Sequence, residues 1–107
     1  MKKGEIWIVE LPSSNGYEQK GTRPAIVFAE IGQLAIVIPV TSNVQALRYP
    51  YTTEIHPSNA NGLSELSIAL TFHLRALDKK RLQKKIGHLE PETLDQINLF
   101  LKKLLQV

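Results

Sequence analysis

The run E-Q-K-G-T-R-P-A-I-V-F-A-E-I-G-Q-L-A-I-V-I-P-V-T-S, residues 18–42, decides how the rest of the chain is read. Residues 25–29 and 34–40 are short apolar runs rich in Val and Ile, the pattern of buried strands. Ile31, Gly32 and Gln33 between them suit a hairpin connection, with glycine supplying the turn. Antiparallel pairing sets the start of the first strand beside the end of the second, so Arg23 shares an end of the hairpin with Thr41 and Ser42. Glu18, five residues before Arg23, belongs to the loop above them. A carboxylate, a guanidinium and two hydroxyls converge there without any apolar reason to do so. That is the outline of a phosphate-handling site.

Upstream of this run, residues 4–11 alternate as a first strand, with Ile6 and Ile8 on one face and Trp7 and Val9 on the other. Trp7, the only tryptophan, reads as a core anchor. Residues 12–22 form a loop long enough to carry function. Downstream, residues 43–50 read as a second loop, 51–55 as a strand, 56–62 as a turn-rich connection and 67–74 as a further strand. Asp78 is placed to cap a short helical turn, and residues 85–89 to form a last strand. Glu90, Pro91 and Glu92 open a helix with proline at its first position. Leu94, Ile97, Leu101 and Leu104 give that helix one packed stripe. Many short strands and one terminal helix predict a mainly β fold, a small SH3-like barrel, in a single domain over residues 1–107.

Composition narrows the function classes. The chain has no cysteine, so neither a disulfide framework nor a thiolate metal site is available. Glu5 and Glu10 interrupt any signal-peptide core, and the longest apolar run falls far short of the roughly 18 residues of a membrane span. A cytoplasmic protein without membrane contact is expected. The net charge of +3 is unevenly placed: residues 1–74 hold five Lys or Arg against six Asp or Glu, residues 75–107 eight against four. A basic balance favours polyanions, but the excess lies away from Arg23, so residues 79–85 read as a solvated basic face. His56, His73 and His88 share no metal-ligand spacing and read as structural; neither metal nor cofactor is expected.

G-E-I-W-I-V at 4–9, E-Q-K-G-T-R-P-A-I-V at 18–27, P-V-T-S at 39–42 and L-R-A-L-D-K-K-R-L at 74–82 together resemble the MazF/PemK family of toxin endoribonucleases. The similarity runs from Gly4 to the C-terminal helix. It implies an SH3-like barrel of the CcdB/PemK kind, a homodimer, metal-independent cleavage of single-stranded RNA, and a cognate antitoxin that blocks the site. DNA contact is implied only through the antitoxin complex. The resemblance makes Arg23 the group that stabilises phosphorane charge and Thr41 the hydroxyl that holds a phosphate oxygen, with Ser42 beside it. Glu18 matches a functional glutamate of one branch of the family; it acts either as the base for the ribose 2′-OH or only to orient Arg23. Another branch uses an Arg–Asp pair whose positions fall here near Leu70 and Phe72, so that arrangement is missing. Tyr17, Gln19, Lys20, Arg48 and Tyr49, in the two loops flanking the site, are the candidate RNA contacts, cations and polar groups with aromatics among them. The alternative on the same fold is a CcdB-like toxin that traps a protein and cuts nothing.

Overall fold

The computed structural model describes residues 1–12 and 21–107. Strand β1 (Glu5–Leu11) lies beside β2 (Gly21–Ile31), and β2 turns directly into β3 (Leu34–Thr41). The β2–β3 reversal is the expected hairpin: Ile31 pairs with Leu34, and Gly32 takes φ +56°, a left-handed conformation that glycine adopts without a Cβ clash. The strand path continues through β4 (Thr52–Ile55), β5 (Ser67–Leu70), β6 (Arg75–Asp78) and β7 (Leu82–His88). Order across the antiparallel sheet is β4-β5-β3-β2-β1-β7, with β6 also on β3. Helix α1 (Pro91–Leu105) closes the chain.

Strand β3 is long enough to serve two partners on one edge. Its first half pairs with β6, from Leu34 opposite Asp78 to Val37 opposite Arg75, and its end pairs with β5, Val40 opposite Ala69 and Thr41 opposite Ile68. The two registers differ by three residues, taken up by the 3-10 turn Thr71–His73. The single strand expected over residues 67–74 therefore stops at Leu70 and gives way to a turn, and β6, which begins at Arg75, has no counterpart in the sequence reading. The turn keeps Thr71 buried while setting Phe72 outside the sheet.

Strand β3 is buried on both faces from Val37 to Val40, while Leu34 at its hairpin end is exposed. Ile6, Ile26, Ile38 and Val40 share one core with Ile97 of α1; Val9, Ala25, Val27, Ala35 and Val37 share a second with Leu77. Helix α1 contributes the predicted stripe, with Ile97 fully buried and Leu94 and Leu101 packed beside it. Trp7 joins the second core and donates its indole N–H to Glu5 Oε1 at 2.9 Å.

The barrel is bridged across its open side by the segment after β4 rather than by a pairing of β4 with β7. His88 donates its backbone N–H to the Ala60 carbonyl at 2.9 Å. Gly62 lies so close to β7 that a Cβ there would stand 2.0 Å from the Ile86 carbonyl oxygen, and one on Gly87 2.3 Å from that of Ala60. Two residues without side chains make that approach possible. Asn61, fully buried, fixes the segment: its Oδ1 accepts from the Ser58 and Leu63 N–H groups, and its Nδ2 donates to the His56 carbonyl and to Glu90.

Candidate active site

Pairing brings the two ends of the opening stretch together. Val9 of β1 lies opposite Arg23, and Ala25 opposite Pro39; two residues further along each strand stand Arg23 and Thr41. Arg23, Thr41 and Ser42 line one cavity of about 350 Å³, with Thr22 and Pro24 beside them. Arg23 is half-buried, Thr41 buried and Ser42 exposed. The far wall is the bridging segment, from Gly62 through Glu65, with Ser67 and Ile86. Glu65 therefore brings to the Arg23 cavity a carboxylate absent from the sequence-based site. No local pattern marks it, since its place depends on how residues 56–64 cross to β7. Tyr17, Glu18, Gln19 and Lys20 lie outside the described residues.

Thr41 also borders a second cavity, of about 500 Å³. Residues 43–50, read as an irregular loop, contain the 3-10 turn Val44–Arg48. Asn43 caps it, its side chain accepting from the Gln45 N–H at 3.0 Å, while the Asn43 N–H donates to Thr41 Oγ1 at 3.2 Å. With Oγ1 already an acceptor for the turn, the Thr41 proton is left for another partner. Arg48 and Tyr49 leave the turn as a stacked unit: the guanidinium sits 5.2 Å from the Tyr49 ring centroid, and Nη2 donates to the Tyr49 hydroxyl at 3.3 Å. Tyr49 meets Phe72 with ring centroids 5.5 Å apart, and Phe72 meets His73 at 4.7 Å. All four side chains line the second cavity. Arg48 and Tyr49 are thus separate from Arg23 and reach its site only across Thr41.

Phe72 and His73 are further cavity residues that sequence reasoning misses. The pattern puts both in a strand interior and gives His73 a structural role; the three-residue turn brings both to the cavity wall instead.

Three of the five cations expected on the basic face of residues 79–85 are paired. Glu30 and Lys79 form an ion pair, Arg81 reaches Glu10 at 3.4 Å and Lys85 reaches Glu5 at 3.3 Å. Among the described residues, no three His, Cys, Asp or Glu side chains converge as a metal-holding group, and no helix is long and apolar enough to cross a membrane.

The family described as PemK-like, MazF-like toxin of type II toxin-antitoxin system matches residues 2–105. The chain belongs to that family. Its relatives include a protein named endoribonuclease EndoA from Bacillus subtilis strain 168, 33% identical over 103 residues, which span 92% of this chain and 88% of the relative. The crystal structure of MazF from Deinococcus radiodurans matches with a TM-score of 0.83 at 26% identity, covering 100% of this chain and 97% of that one. A MazE–MazF structure from the same organism matches with a TM-score of 0.70 at 27% identity, over 98% of this chain and 94% of that one. The resemblance read from the motifs is borne out, and so is the mainly β fold with its terminal helix. In this MazF/PemK-family chain, residues 2–105 take in both cavities, the bridging segment and the whole of α1.

Proposed function

We propose that this toxin-family endoribonuclease cuts single-stranded RNA sequence-selectively and without a metal ion, by attack of a ribose 2′-OH on the adjacent phosphodiester. The products are a 2′,3′-cyclic phosphate and a 5′-OH. The observation that carries the reading is the meeting of Arg23, Thr41 and Ser42 in one cavity at one end of the β2–β3 hairpin. Arg23 holds the non-bridging oxygens with a planar fork of donors and takes the charge that builds on the phosphorane. The Thr41 hydroxyl donates to one of those oxygens, its own acceptor capacity engaged by the turn behind it. Glu18 takes the 2′-OH proton or orients Arg23; arginine itself stays protonated and is a poor base. Arg48 and Tyr49, with Tyr17, Gln19 and Lys20, hold the strand on either side.

The active form is a homodimer, and a short antitoxin with an acidic, poorly ordered tail inhibits it. Arg23 and Arg48 border neighbouring cavities, so an acidic peptide competes for the donors that RNA uses. The similarity to a Deinococcus MazF solved together with MazE supports such a partner.

The test is incubation of the purified protein with a long RNA in EDTA, followed by end-group analysis. Cleavage with 5′-OH ends, abolished by a deoxyribose at the cut nucleotide, is the expected result. Products with 3′-OH and 5′-phosphate ends, or loss of activity in EDTA, would overturn the mechanism. Light scattering should give twice the chain mass at micromolar concentration; a monomer would refute the dimer.

A further inference from the structure

We propose that Asn43 is a positioning residue for the cleavage reaction: by capping the turn Val44–Arg48 it holds the Thr41 hydroxyl with its proton turned towards the bound phosphate. The proposal rests on the ribonuclease reading and adds to it the group that aims the threonine.

The sheet removes most of the freedom of Thr41. Its backbone is fixed by pairing opposite Ile68 at the end of β3, and a β-branched side chain is stiff at χ1. What remains is rotation of the O–H bond, which decides where the hydroxyl donates. The residue is only 6% exposed, so the protein rather than bulk water sets that rotation. The Asn43 N–H sets it by donating to Oγ1 at 3.2 Å: the hydroxyl proton cannot point at another donor and leaves on a different side. Thr53 and Thr71 show the contrast. Both are buried, and neither hydroxyl has a partner among the described residues.

The Asn43 N–H is aimed in turn by its own residue. Asn43 holds extended angles, φ −76° and ψ 105°, directly ahead of the turn. Its side-chain oxygen accepts from the Gln45 N–H at 3.0 Å, and its carbonyl accepts from the Ala46 N–H at 3.0 Å. Three hydrogen bonds thus tie one residue to Thr41 on one side and to the turn on the other. A short side chain ending in oxygen can make the capping bond; alanine cannot. Asn43 is exposed, so its side chain supports this local geometry and not the core. Without the cap, the backbone at residue 43 relaxes and its N–H swings off Oγ1. A hydroxyl free to turn donates to the phosphate only part of the time. That donation counts most when charge builds on the phosphorane, so the loss falls on kcat and not on KM.

The test compares Asn43→Ala and Asn43→Ser, each alone and combined with Thr41→Val, on a short RNA carrying the strongest cut site. Asn43→Ala should lower kcat about fivefold, the scale of one lost cap, and leave KM nearly unchanged. Asn43→Ser keeps a capping oxygen but loses the amide, and should return kcat to the wild-type value. In the Thr41→Val background there is no hydroxyl to aim, so Asn43→Ala should cost nothing further. A readout without turnover is amide exchange: the Gln45 N–H should exchange faster in Asn43→Ala than in wild type or Asn43→Ser. Thermal unfolding checks that the variants fold.

Full kcat in Asn43→Ala would overturn the proposal and leave the ribonuclease reading intact. So would an equal fractional loss whether residue 41 is threonine or valine. A raised KM that serine does not repair would mean that the Asn43 amide touches RNA directly, and the proposal fails. Thr41→Val cutting at the wild-type rate, or RNA left uncut by the wild type, would take down the assigned role of Thr41 and this proposal with it.

Discussion

On the proposed reading Arg23 and Thr41 do different work at one phosphate, and their substitutions should separate. Arg23→Ala removes the charge at the transition state and should lower kcat by about 10²–10³-fold, the scale of a lost charge-stabilising donor. Because Arg23 is only half-buried at a strand start, thermal unfolding should move little. Thr41→Val deletes one hydrogen bond in a charged site, worth about 1.5–3 kcal/mol, and should cost about ten- to a hundredfold. Under the proposed mechanism two carboxylates are candidates for the proton-accepting role, Glu18 by motif and Glu65 by lining the cavity. Glu18→Gln and Glu65→Gln, compared over a pH–rate profile, decide between them: loss of the acidic limb in one variant alone names the base. Trp7 offers a separate probe. Burial raises the pKa of the Glu5 carboxyl, but the Trp7 indole, the Lys2 backbone and the Lys85 ammonium outweigh it, and the net shift is downward. Trp7 is the only tryptophan, so a fluorescence change at a pH below the ordinary carboxylate range should report protonation of Glu5, and Glu5→Gln should remove it.

The bridging segment makes the next set of expectations. Asn61 satisfies two backbone N–H groups and a backbone carbonyl from inside the protein, so Asn61→Ala should destabilise by about 3 kcal/mol or more. Gly62→Ala should be worse tolerated, since a Cβ would overlap the Ile86 carbonyl at a left-handed φ of +70°. Denaturant melts of both, against Gly32→Ala where nothing lies within 4 Å, separate contact from backbone strain. Glu90 ties α1 to the same segment. The Ser58 hydroxyl, bonded at 2.6 Å, lowers its pKa against the opposing effect of burial, with further help from its own backbone and from Asn61. A carboxyl lowered in the folded state contributes stability above its unfolded value of about 4.3, and that contribution is lost as pH falls through the folded value. Wild type should therefore lose melting temperature below about pH 4.3 more steeply than Glu90→Gln, measured between pH 7 and 3. The hairpin and α1 are legible from sequence because their signals are local: Gly32 between two apolar runs, and Pro91 ahead of a three-to-four spacing. The break at Thr71–His73 is not, because S-I-A-L-T-F-H-L carries no breaker; the turn exists only because β3 offers β5 and β6 different registers. For the same reason Phe72 and His73 are invisible in the sequence as cavity residues, and Glu65 is hidden by the crossing of residues 56–64 to β7, while Arg23 and Thr41 can be matched by counting along a hairpin.

At the scale of the molecule, charge and fold are nearly independent. The basic excess sits in residues 75–107, yet Lys79, Arg81 and Lys85 are engaged by Glu30, Glu10 and Glu5. On the proposed reading the cations that meet RNA are Arg23, Arg48 and Lys20. At about 0.7 per neutralised phosphate on a single strand, log KM should rise with log salt at a slope near 2, and not near the 5 or 6 that the whole basic face would give. The bridging segment has one more consequence. Gly62, Leu63, Ser64 and Glu65 belong at once to the bridge across the barrel and to the wall of the Arg23 cavity. Lifting them exposes the His88 amide and dismantles the cavity without breaking the β1–β2–β3 ladder. The His88 amide should then exchange with deuterium faster than those of Ile26 and Ile38. On warming, nuclease activity should disappear some degrees before the circular dichroism of the sheet, a protein disarmed before it is unfolded.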